Sequence, residues 1–140
     1  MNEWRMKVYG VPIPKARART VSNGRRTWSY TPSNTKGWED AIILQCKAKA
    51  PGEPITGPLR IELYFSIPRV KAWPRSYPRG DVDNYVKSVK DALNGLFYVD
   101  DVQIISVFAA KSYSKNEGEI GVEILLTEVK DECCNNKVDA

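Results

Sequence analysis

The sequence predicts a single compact domain that combines α-helices with β-strands. Its 140 residues correspond to about one domain, and 42% of them are hydrophobic, so the chain can bury one core. Apolar residues recur with helical spacing in two segments and with the alternation of a strand in several others. Because no repeat or long linker interrupts them, we expect one domain over residues 1–130 and a disordered tail over 131–140.

The first half of the chain is expected to contain a strand, a hairpin and a helix. The strand covers residues 6–11 and precedes a basic segment with two prolines. Asn23 and Gly24 favour a hairpin, because this pair accepts the positive φ of a type I′ turn. Helical spacing over residues 34–49 predicts an amphipathic helix that ends before Pro51. Its expected inward stripe consists of Trp38, Ala41, Ile42, Gln45 and Ala48.

The second half is expected to contain three strands and one further helix. Residues 59–67 alternate apolar and polar side chains throughout, which predicts a strand with one buried face. A long loop over residues 68–81 contains three prolines, several cations and two aromatic side chains. Residues 83–94 return to helical spacing, and Gly95 suits the left-handed position that follows a helix. Two more strands are predicted over residues 102–111 and 119–128.

Composition excludes several classes of protein. The chain has no histidine, which excludes serine or cysteine nucleophiles activated by histidine and metal sites built on histidine. Its three cysteines have no metal-binding spacing, and no apolar stretch is long enough to cross a membrane. The charged N-terminus lacks the apolar core of a signal peptide, so we expect a cytoplasmic protein. Carboxylates and lysine remain for acid-base or metal chemistry.

Basic and acidic residues are unevenly distributed along the chain, whose net charge is +4. Residues 1–80 carry 15 Lys and Arg against 5 Asp and Glu, whereas residues 81–140 carry 6 against 12. The basic half is typical of a surface that binds a polyanion such as nucleic acid. From charge alone, the acidic half is equally typical of an ordinary solvated face.

Five aspartates lie close together in the sequence, at Asp81, Asp83, Asp91, Asp100 and Asp101. The first two flank the predicted start of the second helix, and the last two precede a predicted strand. Converging carboxylates repel one another, and Mg²⁺ relieves that repulsion because it binds carboxylate and water oxygens. Lys87, one helical turn from two of these acids, could orient water or neutralise a phosphate oxygen.

Two structural interpretations of the same residues stay open at this point. A single aspartate at a helix start is a common N-cap, whose side chain satisfies free backbone N–H groups. Lys87 is equally suited to a salt bridge with Asp83 or Asp91. The residues alone therefore support metal-dependent phosphodiester chemistry and a structural role to the same degree.

The segment from Asp81 to Leu93 reads DVDNYVKSVKDAL, and a glycine and an adjacent pair of aspartates follow it. This segment resembles the DxDNxxKxxxDAL pattern of the RusA family of Holliday-junction resolvases, small metal-dependent endonucleases that are common in prophages. The basic segment from Pro14 to Arg19 is similar to the PKxRxR element of that family. The resemblance spans residues 7–126, which is nearly the whole predicted domain.

The resemblance implies a role for each residue of the site. The implied metal ligands are Asp81, Asp83, Asp101 and Asp100, of which the last two could exchange roles. Lys87 is the implied catalytic lysine, with Asn84 and Asp91 as supporting residues. The implied cofactor is Mg²⁺, with Mn²⁺ as a substitute, and no nucleotide cofactor is implied.

The resemblance also implies an α+β fold, in which a mixed β-sheet packs against two main helices, and a homodimer that binds four-way or otherwise branched DNA. A four-way junction has approximate two-fold symmetry and needs two nicks, so a symmetric dimer with two sites suits it. The implied phosphate contacts are Lys15, Arg17, Arg19, Arg25, Arg26, Arg69, Lys71, Arg75 and Arg79. Our candidates for the dimer interface are Leu96, Phe97, Tyr98 and Phe108.

Three questions about DNA remain open in the sequence. Trp73 and Tyr77 either stack on unpaired bases or pack locally within the long loop. A non-catalytic basic DNA-binding protein, whose aspartates cap helices and pair with cations, is the first alternative function. A related metal nuclease that cuts flaps or other branched DNA is the second.

Overall fold

A computed structural model describes the backbone of residues 2–16, 19–22, 24, 27–30 and 33–130, and the side chains of residues 2–16, 24 and 33–130. The strands are β1 (Glu3–Tyr9), β2 (Arg19–Ser22), β3 (Thr27–Tyr30), β4 (Leu59–Ile67), β5 (Ile104–Tyr113) and β6 (Gly121–Glu128). The α-helices are α1 (Ser33–Cys46) and α2 (Val82–Leu93). Short 3₁₀ segments cover Lys47–Lys49, Asp101–Gln103 and Glu117–Glu119. The predicted tail over 131–140 lies outside the described residues.

The predicted α+β fold is confirmed, as one domain with a mixed four-stranded sheet and two helices. The sheet order is β1-β6-β4-β5, and β4 pairs in parallel with β5 and antiparallel with β6. Helix α2 connects the parallel pair, as parallel neighbours require a crossover connection. Strands β2 and β3 pair antiparallel in a separate two-stranded sheet, which agrees with the predicted hairpin, and three of the four residues between them lie outside the described residues.

Both helices pack on one face of the sheet, and the core lies between these two layers. Every second residue of β4, from Leu59 to Ile67, is buried, as the alternation predicted. These side chains form a single cluster with Ile42 of α1 and Val89 and Leu93 of α2. Each fully buried aliphatic side chain contributes roughly 1.5–3 kcal/mol, so this layer is the main stabilising contact of the domain.

The predicted inward stripe of α1 is partly wrong. Trp38 and Ile42 are buried as expected, but Gln45 and Ala48 are exposed. The buried positions are instead Thr35, Trp38, Ile42 and Cys46, which follow one face of the helix at spacings of three and four. The α-helix also ends at Cys46, so Ala48 belongs to a 3₁₀ turn with a different side-chain direction.

The predicted interface candidates are also corrected by the fold. Phe97 and Tyr98 are fully buried, because the chain turns back beneath α2 after Gly95, which has a φ of +84°. The Tyr98 hydroxyl donates a hydrogen bond of 2.7 Å to the carbonyl of Lys90, which completes its burial. Of the four candidates, Phe108 alone is exposed, at 52%.

In the described part of the chain, no helix is long and apolar enough to pass through a bilayer.

Candidate active site

The start of α2 is determined by a sharp turn at Gly80. This residue has a φ of +99°, and a Cβ atom at its position would lie 3.0 Å from the ring of Tyr85. Glycine is therefore required both by the backbone conformation and by the close ring. The Tyr85 hydroxyl donates to the carbonyl of Arg79 at 2.9 Å, so a side chain of the helix stabilises the turn. This arrangement presents Asp81 at the N-cap position, directly outside the helix.

The carboxylate of Asp81 does not cap the helix that it precedes. Its backbone carbonyl accepts from the N–H groups of Asn84 and Tyr85, but its side chain makes no capping hydrogen bond. An aspartate at this position commonly satisfies a free N–H group of the first turn. Asp83, in that first turn, is likewise exposed and has no ion pair or side-chain hydrogen bond within the described residues. Two free carboxylates therefore lie at the start of α2.

A groove of about 460 Å³ runs between α2 and β5 beside these acids. Its lining residues are Val82, Asp83, Val86, Lys87, Lys90, Val107 and Ala109. The helix contributes the charged groups, and the strand contributes an apolar floor. Asp83 and Lys87 thus face the same solvent-filled space, as their spacing of four residues on the helix predicts.

Asp100 and Asp101 have different surroundings. The Asp100 carboxylate accepts from the Val102 N–H at 3.1 Å, and the Gln103 side chain accepts from the Asp100 N–H at 2.9 Å. These two bonds form a capping box at the 3₁₀ turn that precedes β5. Asp101 is half-buried, and within the described ranges its carboxylate has no hydrogen bond or ion pair.

Asp101 lies near the end of α2, not near its start. Burial, together with the negative charges of Asp101 and Asp91, raises the pKa of the Tyr98 hydroxyl, which itself contacts the last turns of the helix. Asp83 and Asp91 are eight residues apart on α2, which corresponds to about 12 Å along the axis. Within one chain, Asp101 is therefore separated from Asp81 and Asp83 at the start of the helix.

The described residues include no group of three or more acidic or sulfur ligands that could hold a metal ion. Asp81 and Asp83 nevertheless provide two free oxygen donors at one helix end. Mg²⁺ in proteins is commonly held by one or two carboxylates and keeps several waters. The two residues consequently fit a hydrated divalent cation, although a third protein ligand is not adjacent to them in the same protomer.

Asp91 is paired with two lysines. One of its oxygens lies 3.2 Å from Lys87 Nζ and the other lies 3.1 Å from Lys15 Nζ. Lys15 also donates to Glu39 of α1 at 2.8 Å. Burial opposes the charged form of Lys15, but the hydrogen bonds and charges of Glu39 and Asp91 outweigh it and raise the pKa of this lysine. Lys15 is thus held by carboxylates, whereas Lys87 is 53% exposed in the groove.

The long loop before α2 is attached to the end of β5. Lys111 Nζ donates to the carbonyl of Pro78 at 2.7 Å and also to that of Gly80. The Tyr113 hydroxyl lies within hydrogen-bonding distance of the carbonyls of Arg75 and Tyr77, at 2.9 and 2.8 Å. The loop therefore has a defined path that leads directly to Asp81.

Aromatic and cationic side chains of this loop contact one another. The guanidinium groups of Arg75 and Arg79 lie 5.7 and 5.6 Å from the ring of Trp73, and the Trp73 indole donates to the Tyr77 carbonyl at 2.8 Å. Trp73 and Tyr77 also meet edge to face, with ring centroids 6.1 Å apart. These contacts favour local packing of Trp73, while Tyr77 remains 54% exposed.

The other predicted phosphate contacts lie in the long loop and in the segment around β2 and β3. Arg69 lies over the ring of Tyr113 at 4.1 Å, and Lys71 is exposed. Arg17, Arg25 and Arg26 lie outside the described residues, and for Arg19 the structure describes the backbone in β2.

Three residues with a role at this site were missed in the sequence. Glu39, Lys111 and Tyr113 each contact a segment more than twenty residues away, at Lys15, at Gly80 and at Tyr77. None of them belongs to a recognisable motif, and their partners become neighbours through the fold. Lys111 offered one weak signal, since it is the one charged residue in the predicted strand over residues 102–111.

Comparisons with known proteins identify the family of this chain. The profile of the family described as "Endodeoxyribonuclease RusA" matches residues 10–125, which include α1, α2 and all five aspartates. The chain belongs to the RusA family, whose members are Holliday-junction resolvases. It is also 32% identical over 136 aligned positions to "Uncharacterized protein YqaN" of Bacillus subtilis (strain 168), and the alignment covers 87% of this chain and 94% of that protein.

Membership of this family confirms the resemblance found in the sequence and indicates endodeoxyribonuclease activity. The relative from Bacillus subtilis adds a similar chain of nearly the same extent without adding a function. The assignment of individual residues to metal, catalysis and DNA is therefore argued from the geometry described above.

Proposed function

We propose that this protein is a Mg²⁺-dependent endonuclease that resolves four-way DNA junctions by paired symmetric nicks, in recombination and repair in the cytoplasm. The observation that carries this proposal is the Asp81 carboxylate, which occupies an N-cap position and is free of the helix. Together with Asp83 it forms an exposed pair of acids at the mouth of a groove that also contains Lys87. A purely structural aspartate would use its side chain for the cap, as Asp100 does.

Each residue of the site has a distinct proposed role. Asp81, Asp83 and Asp101 are the metal ligands, and a bound divalent cation, Mg²⁺ or Mn²⁺, would lower the pKa of water and neutralise charge on the phosphate. Lys87 orients the attacking water or neutralises a phosphate oxygen from the groove, where half of its side chain is exposed. Asp91 supports Lys87. Asp100 shapes the turn that presents Asp101, and we do not include it among the ligands.

The basic loop over residues 68–81 is the proposed DNA-binding surface. Its exposed cations are Arg69, Lys71, Arg75 and Arg79. They contact phosphate groups and position DNA without reading its sequence. Because the loop leads to Asp81, it brings the DNA backbone to this residue. We extend this surface to Arg17 and Arg19, which follow the segment that lies on α2. Lys15 is excluded from it because two carboxylates already hold its ammonium group.

We extend the proposal to a symmetric homodimer formed through β5. Among the described strands, β5 pairs with β4 alone, so its other edge is unpaired. Ile105, Val107 and Phe108 on this strand are about half exposed. An unpaired edge with apolar side chains favours pairing with another chain, and a two-fold axis makes that contact self-complementary.

Antiparallel pairing of two β5 strands also accounts for the separated acids. Helix α2 and β5 run in opposite directions, because Lys111 near the end of β5 contacts Gly80 before α2, while Asp101 before β5 lies near the end of α2. Across a two-fold axis, Asp101 of one copy approaches Asp81 and Asp83 of the other. In the proposed dimer, three acids therefore contribute to each site.

Sedimentation equilibrium tests the dimer. We expect a mass of about twice the 15.8 kDa of the chain, and we expect Phe108→Glu to shift the protein toward monomer. A mass near 15.8 kDa at micromolar concentration, together with efficient paired nicking, would contradict both the dimer and the shared site.

A panel of DNA substrates tests the function itself. Four-way junctions, flaps, forks and plain duplex are incubated with the protein in Mg²⁺, in Mn²⁺ and with a chelator. We expect symmetric nicks in the four-way junction that require metal. Binding without cutting under every condition would support the non-catalytic alternative, and preferential cutting of flaps would support the related-nuclease alternative.

A further inference from the structure

Four charged side chains connect α1 to the catalytic face of α2 through alternating contacts. Glu39 Oε2 lies 2.8 Å from Lys15 Nζ, Lys15 Nζ lies 3.1 Å from Asp91 Oδ2, and Asp91 Oδ1 lies 3.2 Å from Lys87 Nζ. The side chains of Glu39, Lys15 and Asp91 are 17%, 23% and 24% exposed, whereas Lys87 is 53% exposed. The inner three groups are thus shielded from solvent, and only Lys87 reaches the groove.

The position of Lys15 does not depend on its ammonium group. Its backbone N–H donates to the carbonyl of Asn84 at 2.8 Å, and the Ser88 hydroxyl donates to the carbonyl of Ile13 at 2.8 Å. These bonds attach the segment before β2 to the first two turns of α2. The backbone contacts therefore place the Lys15 side chain next to Asp91. Asp91 lies one helical turn after Lys87 on α2.

We propose that Lys15, held by Glu39, is a positioning residue for Lys87, and this inference rests on the proposed function of Lys87. Because Lys15 occupies one oxygen of Asp91, the other oxygen is directed at Lys87 from a defined place. Without Lys15, Asp91 would be free to rotate and to offer both oxygens to Lys87, which would draw that ammonium back from the groove. Glu39 prevents the alternative in which Lys15 leaves Asp91 for solvent.

A phosphate contact by Lys15 is disfavoured by the same geometry. DNA would have to displace two carboxylates from a largely buried ammonium group, which would take from the shielded Glu39 and Asp91 side chains the ion pair that each forms with Lys15. The four groups also balance in charge, with two acids and two lysines, so they add no net positive charge to the DNA-binding surface. Lys15 thus differs from the exposed cations of the loop over 68–81.

The test compares Lys15→Met, Lys15→Arg and Glu39→Gln with a matched control, Lys36→Met, which removes an exposed lysine from a surface pair with Asp40 on α1. The nicking rate at saturating protein and the affinity for a four-way junction are measured separately. We expect Lys15→Met to lower the rate about 10-fold with unchanged affinity and salt dependence, because it misplaces Lys87 and removes no DNA contact. Lys15→Arg recovers part of that rate, and Lys36→Met changes nothing.

A spectroscopic measurement keeps this test independent of nuclease activity. The ¹⁵Nζ signal of Lys87 is expected to shift in Lys15→Met and, by a smaller amount, in Glu39→Gln, but not in Lys36→Met. Should Lys15→Met fail to fold, Glu39→Gln and Lys15→Arg give the same comparison. Weakened junction binding with a salt slope reduced by about one unit and an unchanged rate would overturn the proposal, because that pattern identifies a phosphate contact. An unchanged Lys87 signal would also overturn it, whether or not the wild-type protein cuts DNA.

Discussion

The two ends of α2 carry aspartates in opposite states. At the start of the helix, Asp81 and Asp83 are exposed and have no side-chain partner within the described residues. At its end, Asp91 is paired with two lysines, and Asp100 of the following turn caps a 3₁₀ helix. The carboxylates at the start of the helix are thus free, whereas near its end Asp91 and Asp100 are stabilised by contacts and only Asp101 lacks a partner within the described residues.

We propose that this difference separates structural acids from functional ones. A carboxylate that accepts hydrogen bonds from backbone or lysine already contributes to the fold, and a metal ion would have to displace those partners. Two exposed carboxylates at one helix end repel each other, and in the proposed function a bound metal ion relieves that repulsion. The groove between α2 and β5 gives such a ligand access to Lys87 as well.

The largest effect is expected at the free acids. Asp81→Asn and Asp101→Asn should each lower the nicking rate about 1,000-fold, because each removes charge stabilisation at the reacting phosphate. Junction affinity should be kept or increased, since each change lowers negative charge near DNA. Gel-shift and nicking assays on one preparation provide the measurement, with thermal unfolding as the control. A loss of stability in place of activity would remove the distinction between free and structural acids.

Lys87 lies between the two ends of α2, and its substitution should have the second largest effect on the nicking rate. Lys87→Ala should lower the nicking rate about 100-fold with little change in junction affinity, as loss of a positioned proton-transfer group predicts. Single-turnover kinetics and binding titrations measure the two quantities separately. If Lys87→Ala instead leaves no folded protein, the lysine belongs with the structural acids and its contact with Asp91 is its main role.

The thiol of Cys46, a buried titratable group on α1, makes the stability of the protein depend on pH. Burial raises the pKa of the Cys46 thiol from 9.0 to about 11. The unfolded chain therefore loses this proton first, so the stability linked to Cys46 is complete below pH 9 and falls as pH rises toward 11. Over that range, the free energy of unfolding should fall by about 1–3 kcal/mol more in the wild type than in Cys46→Val. Equal pH dependence of chemical unfolding in both proteins would contradict the assignment.

The smallest effect distinguishes the adjacent aspartates. Asp100→Ala should lower the free energy of unfolding by about 1 kcal/mol through loss of the cap, and Asp100→Asn should restore it, because asparagine caps equally well. Both variants should nick DNA at nearly the wild-type rate. Loss of cutting in Asp100→Asn with normal stability would instead make Asp100 the metal ligand and Asp101 the structural residue.

Most of the fold followed from local patterns in the sequence. The alternation from Leu59 to Ile67 and the helical spacing that ends at Gly95 define β4 and α2 closely, because burial repeats with the period of each element. The inward face of α1 was less predictable, since Thr35 and Cys46 occupy positions that hydrophobicity alone does not rank first. Gly95 indicated the end of the helix, but no local pattern showed that the chain after it returns to the core and buries Phe97 and Tyr98.

The candidate site was predictable where its residues form a motif. Asp81, Asp83 and Lys87 share one short segment that resembles the family pattern, whereas their residue types alone left a structural role equally open. The pairing of Lys15 with Glu39 was not predictable, because the contact joins two segments 24 residues apart and Lys15 belongs to an element that reads as DNA-binding. Residues that act through a neighbour need the fold to identify them.

The central claim is that the free acids at the start of α2 hold the metal that makes this protein a junction-cutting nuclease. Single-turnover nicking of a synthetic four-way junction by Asp83→Asn, beside the wild type in Mg²⁺, tests it most directly. We predict that the variant binds the junction at least as tightly as the wild type and leaves it uncut. Cleavage by Asp83→Asn at a rate close to that of the wild type would contradict the assignment of this site.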